Sequence, residues 1–248
     1  MTAAAVMFAG CSKDGDDNPQ PDEECRVVSL GDNWHFDDVT FAYDGQGRIT
    51  KISGSVEAFS VISTVTYQSN KIVATTHDDG ELYMTSEFTL NGSGLVTSAE
   101  IEFSNGNVTT IEYSYVDGFL TKKHASSVSA SDFPDVQYTA DLTYSNGNLT
   151  KTVSDADYEG TTNISYDASA SYQPFTSYYQ AFGNIFDEVE CVLYETGYLG
   201  KLPKNRVTSD GISSFSYETG SDGKVTRITV DAPEGYSTYD TAIGWKCD

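Results

Sequence analysis

Positive charge is what this sequence has least of. Its 248 residues carry 14 Lys and Arg against 37 Asp and Glu, a formal net charge of −23 at pH 7. Binding phosphate needs a cationic footprint, so no nucleic-acid partner is expected. Unassisted docking on an anionic lipid surface is disfavoured for the same reason. No apolar run approaches the ~18 residues that a membrane-spanning helix requires. The four cysteines, Cys11, Cys25, Cys191 and Cys247, form no C-x-x-C pair, which removes the usual structural zinc knuckle. Histidine is limited to His35, His77 and His124, and no H-E-x-x-H, G-x-S-x-G or P-loop pattern occurs. Neither a cofactor nor a metal is expected, and no catalytic residue stands out. A hydrolase with carboxylates dispersed along the chain remains as an alternative, because such pairs are set in space and not in sequence.

What is abundant is tyrosine, 17 residues, with 12 phenylalanines, in a chain that is only 38% hydrophobic. These residues, with Thr and Val, suit a pleated, half-buried surface. They recur in units that run from an aromatic or apolar strand end, through a Gly/Asn/Asp turn, to a Thr-rich strand. Examples are "FAYDGQGRITKI" (41–52), "FTLNGSGLVTSA" (88–99), "YSYVDGFLTKKH" (113–124), "LTYSNGNLTKTV" (142–153) and "FSYETGSDGKVTRI" (215–228). Asn and Gly supply the positive φ angles of tight hairpins. Tyr138, Ala140, Leu142 and Tyr144 alternate with Thr139, Asp141 and Thr143, a period of two with one wet face. The fold class expected is all-β: a large antiparallel meander of about a dozen strands. So long a meander curls into a barrel or partial barrel to protect its edges. One segment departs from this pattern. Phe175, Tyr178, Tyr179, Phe182, Ile185, Phe186 and Val189 follow helical spacing, and Pro174 suits a first turn, so one helix is expected near 174–187.

The first residues, "MTAAAVMFAG", are small and apolar like the core of a secretory signal. No Lys or Arg precedes Cys11, where such signals carry a basic stretch, and that stretch is expected upstream of the residue written first. Phe8-Ala9-Gly10-Cys11 resembles the bacterial lipobox, which implies diacylglycerol attachment and acylation at Cys11. Ser12 after the cysteine resembles outer-membrane sorting, and "SKDGDD" (12–17) is similar to the acidic surface-export tag of Bacteroidetes lipoproteins. Residues 1–10 are thus expected to be a signal peptide, 11–24 a lipidated cysteine and flexible acidic tether, and 25–248 one β-hairpin domain. "DGDDN" lacks the Gly and the twelfth-position acid of a calcium loop.

"YDGQGRITKI" (43–52) resembles the tyrosine–aspartate repeat of toxin-encapsulating shells. The whole layout, ending in "GYLGKLPKNRVTS" (197–209), resembles a Bacteroidetes outer-membrane lipoprotein family of unknown function with a porin-like β fold. That resemblance implies fold and address over residues 25–248 and carries no catalytic residues. The strands place Lys, Asp and Glu at many alternate positions, so a pore through a bilayer does not follow from it.

In an exported protein the three cysteines beyond Cys11 leave one disulfide and one thiol. Cys25 with Cys247 is one pairing, tying the first strand to the last; Cys191 is an equal candidate partner. Trp34, in "GDNWHFDD" (31–38), with Asp37 and Asp38, forms a candidate ligand site, an aromatic face flanked by carboxylates as in sugar binding. Trp245 reads as core. His77-Asp78-Asp79 reads as a turn rather than a metal site. Asn91, Asn107, Asn148 and Asn163 head N-x-S/T triplets, and the first three fall at hairpin turns that explain them without glycosylation. Asp240-Thr241-Ala242 resembles the Bacteroidetes O-glycosylation motif, which makes Thr241 a candidate acceptor. The function expected is a non-catalytic binding or accessory role at the cell surface or periplasmic face of the outer membrane. Its partners would be the membrane, through the anchor, and a glycan, lipid or envelope protein. A structural envelope component is the other alternative.

Overall fold

In the computed structural model, residues 25–31, 38–56, 59–130, 135–155, 160–176, 188–233 and 238–247 are described. They contain seventeen strands and one helix. The strands are β1 (Cys25–Leu30), β2 (Val39–Tyr43), β3 (Ile49–Val56), β4 (Phe59–Tyr67), β5 (Lys71–Asp78) and β6 (Glu81–Leu90). Next come β7 (Val96–Phe103), β8 (Val108–Val116), β9 (Phe119–Val128), β10 (Val136–Ser145), β11 (Asn148–Ser154) and β12 (Thr161–Asn163). After β13 (Ser165–Ser171) comes helix α1 (Glu188–Glu195), and β14 (Asn205–Ser209), β15 (Ser214–Thr219), β16 (Val225–Asp231) and β17 (Tyr239–Cys247) complete the chain.

Each strand except β12 pairs antiparallel with the next, and β17 returns to β1 with Cys25 opposite Cys247. The all-β meander therefore closes almost completely into a barrel. Its one seam is at Ile164, where the run from β12 to β13 passes its pairing from β11 to β14. Seventeen strands stand where about a dozen were expected. The excess comes from elements such as three-residue β12, too short to show a period of two.

Because the strands alternate in direction, the turns fall into two sets. One end of the barrel holds the turns at 44–48, 68–70, 91–95, 117–118, 146–147 and 220–224, together with Cys25 and Cys247. Residues 172–176 and 188–204 close this end. They lace turns together: the Val96 amide donates to Tyr198 O (2.9 Å), Lys201 N to Gly118 O (2.8 Å) and Lys204 N to Gly147 O (3.0 Å). Gln173 adds two more bonds, donating to Gly223 O and accepting from Val225 N, both at 2.9 Å. We call this the plug end and the opposite end, with turns at 79–80, 104–107 and 210–213, the rim.

Helix α1 forms the centre of the plug. Val189, Cys191, Val192, Leu193 and Tyr194 leave it apolar nearly all round, the signature of a buried helix, and every residue from Val189 to Glu195 is buried. Gly197, at φ +82, ends it: Tyr198 N donates to Leu193 O and Gly197 N to Tyr194 O, the two bonds of a Schellman cap. The helix expected near 174–187 is displaced. Pro174–Thr176 form a turn with Phe175 at φ +65, while 177–187 lie outside the described residues. The Phe175 amide donates to Glu195 and its ring meets Phe41 at 4.9 Å, so tertiary contacts override the local helical spacing here.

The aromatic–turn–Thr unit has a physical basis in two recurring hydrogen bonds. A tyrosine at the end of one hairpin strand donates its hydroxyl to a carbonyl of the preceding hairpin: Tyr43 to Val27, Tyr67 to Ile49, Tyr115 to Val96, Tyr166 to Leu149 and Tyr217 to Val207. Trp245 repeats the bond through Nε1 to Val225 O at 2.7 Å. The threonine after the turn donates back across its own hairpin: Thr50 to Ala42, Thr97 to Thr89, Thr121 to Ser114, Thr150 to Thr143 and Thr226 to Glu218. The tyrosines thus form a belt of latches just inside the plug end. Inward residues from β1 through β17 join α1 in one buried apolar cluster, so the interior is a packed core.

Candidate functional site

The candidates from the sequence do not converge. Cys11, Trp34, Asp37 and His35 lie outside the described residues. Asp38 is exposed at the rim, immediately before β2. Cys25 and Cys247 are joined by a disulfide across the β1–β17 register, and Cys191 is a buried thiol of α1. Thr241 is 3% exposed on the inward face of β17. Its hydroxyl is therefore not presented to a glycosyltransferase by the folded barrel. His77 is the next-to-last residue of β5, beside the Asp79-Gly80 turn, where both turn residues adopt positive φ. Among the described residues no group of three or more His, Cys, Asp or Glu side chains is arranged to hold a metal ion.

Two buried carboxylates position the plug. Glu190 of α1 accepts Lys123 Nζ at 2.7 Å and the Tyr113 hydroxyl at 2.6 Å, with Lys123 and Glu190 side chains each 2% exposed. Glu195 accepts the Tyr172 hydroxyl at 2.6 Å and the Phe175 amide at 2.9 Å. Burial pushes Glu195 up to about 7, against the pull of those two donors. Both carboxylates point into the core, away from any substrate, and their use is to fix α1 against β8, β9 and the turn at 174–176. The latch tyrosines are also desolvated, and burial pushes the Tyr43 hydroxyl up to about 12 despite nearby Arg26.

Two depressions mark the outer wall, each of about 520 Å³. The larger array of polar groups lies across β6–β9, where Glu87, Glu100, Glu112 and His124 face outward among Thr89, Ser98, Thr110 and Ser126. Glu87 stands directly opposite Glu100 and Glu112 opposite His124. Like charges in register cost stability, and Lys71 offsets part of this by pairing with Glu87 at 2.7 Å. His124 Nδ1 meets Thr139 Oγ1 at 3.1 Å. The arrangement offers hydrogen-bond acceptors and hydroxyls to a polyhydroxylated or amine-bearing ligand. The second depression, near the disulfide, is lined by Arg26, Tyr43, Asp44 and Lys246. Sequence reasoning missed both, since the residues come together only through strand register.

Charge is divided between the ends. Every Lys and Arg among the described residues lies at a plug-end turn, in the plug, or no farther along its strand than the middle. The rim carries Asp38, Asp78, Asp79, Glu81, Asp135, Asp155, Asp210 and Asp231, with no Lys or Arg at the rim among the described residues. Outward positions along the wall hold Lys51, Glu100, Glu112, Lys122 and Asp141, all exposed or lining the depression.

Comparison with known proteins places this architecture. A crystal structure of a porin-like protein from Bacteroides uniformis matches with a TM-score of 0.63 and 18% identity, over 93% of this chain and 98% of that one. A porin-like protein from Bacteroides vulgatus matches with a TM-score of 0.62 and 16% identity, over 88% and 97%. At such identities the likeness shows the fold alone. No curated protein matches. Residues 41–227 match the model of a domain of unknown function with porin-like fold, and the match spans most of the barrel, the plug included. The chain therefore belongs to the DUF4595 family.

Proposed function

We propose that this is a lipid-anchored outer-membrane protein with a non-catalytic binding role, held at the plug end and presenting its rim and outer wall away from the membrane. The observation that carries this reading is the position of Cys25. The described chain enters the barrel there, fourteen positions after the lipobox cysteine, and the disulfide to Cys247 fixes that entry at the plug end. A lipid on Cys11 would pull the cation-bearing end toward anionic head groups and turn the acidic rim outward. Charged residues on the outer wall argue against a lipid-facing barrel, because a transmembrane barrel needs an apolar band there. The packed interior argues against a lipid cargo and leaves surface ligands, a glycan or an envelope protein. A structural envelope component is the second reading, favoured by the same filled core.

Expression in the native host with acyl-chain labelling tests the anchor. The wild-type chain is expected to carry label and to sediment with outer membranes, and Cys11→Ser to lose both. Unlabelled wild-type chain, or a Cys11→Ser variant still membrane-bound after a high-salt wash, would overturn the proposal.

A further inference from the structure

Among the described residues, the rim combines two properties that no other part of the surface shares. Eight large hydrophobic side chains are exposed among the described residues, and seven of them lie toward the rim. They include Phe59 at 52%, Leu82 at 49%, Tyr83 at 48%, Val128 at 55%, Val136 at 49% and Ile212 at 61%, while Val116 alone is at the plug end. The acids are interleaved with them in the chain. Leu82 and Tyr83 follow Asp78, Asp79 and Glu81; Val136 follows Asp135; Ile212 follows Asp210. Tyr83 is braced edge-on against Phe103, with ring centroids 5.7 Å apart. Single exposed apolar residues are ordinary, but a concentration at one end of the molecule, bordered by charge of one sign, marks an interaction surface.

We propose that the rim docks a cationic amphipathic polypeptide, a partner segment with Lys or Arg interleaved with large aliphatic side chains. Charge complementarity selects this occupant. The acids repel anionic lipid and nucleic acid, and a second copy docking rim to rim would place carboxylate against carboxylate. The apolar side chains are wasted on a small polyamine or a fully hydroxylated surface. Only a partner carrying both features desolvates the aliphatic side chains while answering the carboxylates. The inference deepens the binding role proposed above by naming its partner class. Its test is independent of the anchor, so failure of one leaves the other readable.

The experiment is a binding titration of the purified full chain with a short amphipathic leucine–lysine peptide. Controls are the leucine–glutamate peptide of the same pattern and a serine–lysine peptide of the same charge. Saturable binding of the leucine–lysine peptide is expected, weakening as salt rises. Leu82→Ser/Tyr83→Ser should weaken it by about tenfold, the effect of losing one or two desolvated side chains. Val116→Ser at the plug end should leave it unchanged. Circular dichroism checks that the variants, altered only at exposed positions, keep the wild-type fold. The proposal is overturned if the leucine–lysine peptide does not bind, or if the serine–lysine peptide binds equally well. Binding indifferent to Leu82→Ser/Tyr83→Ser, or uptake of the leucine–glutamate peptide or of anionic vesicles with equal affinity, overturns it too.

Discussion

The two ends of the barrel are made from the same hairpins and solve opposite problems. At the plug end the turns are bonded to a single lacing segment, the tyrosine hydroxyls are latched to neighbouring carbonyls, and a disulfide joins the first strand to the last. At the rim Asp210 closes its own turn through the amides of Ile212 and Ser213, while Asp79 and Asp155 accept the Ser60 and Thr139 amides of neighbouring strands. Exposed apolar and acidic side chains are left between them. Stability is invested at one end and surface chemistry at the other, so substitutions at the two ends should have effects of different kinds.

The largest effect should come from opening the disulfide. It links residues 222 positions apart, and removing it with Cys25→Ser/Cys247→Ser should cost about 5 kcal/mol through the freed chain entropy of the unfolded state. Denaturant unfolding with and without reductant measures this; a midpoint unmoved by reductant would show that the closure is held by the strands alone. Lys123→Met comes next. It strands Glu190 in the core and should cost about 3 kcal/mol, with part of the loss recovered in Lys123→Met/Glu190→Gln. If the double variant is less stable than the single one, Glu190 is not positioned by its charge partner.

Glu195 makes a pH-dependent difference of similar size. Its carboxyl sits at about 7 in the folded state against 4.5 unfolded, so the native state holds its proton longer. Its stabilising share is whole below about pH 4.5 and is lost as pH rises through about 7. The loss should reach about 3 kcal/mol by pH 8. The difference in stability between wild type and Glu195→Gln should therefore shift in favour of the variant as pH rises from 4 to 8 (on the order of these values). A difference flat with pH would mean that Glu195 ionises as it does in water. A single latch is smaller. Tyr67→Phe loses the bond to Ile49 O and should cost about 1 kcal/mol, whereas Leu82→Ser at the rim should stay within about 0.5 kcal/mol. Equal costs at the two positions would erase the distinction between a stabilised end and a free one.

The parts of this fold that were legible are those set by neighbours in sequence. Asp44 and Asn91 cap their own turns through amides two and four residues ahead, so the hairpin units could be read directly. The period of two in β10 likewise showed which face is buried. What required the third dimension was hidden. Three-residue β12 carries no pattern, and the aromatic spacing around Phe175 mimics a helix that tertiary contacts displace at Pro174–Thr176. The Glu87–Glu100 opposition exists only through the β6–β7 register. The division of charge has a sequence signal: Arg48, Lys71 and Lys224 all stand at turns of one set, and the alternate turns have none.

The orientation of the barrel is best tested on intact cells of the native host, with cysteines introduced at Ile212 on the rim and Asp222 at the plug end. A membrane-impermeant maleimide reports on each; native Cys191 is buried. The expected result is rapid labelling of Ile212→Cys and slow labelling of Asp222→Cys, with the difference abolished when Cys11→Ser releases the chain. Faster labelling at the plug end than at the rim in the anchored protein would contradict the proposed orientation.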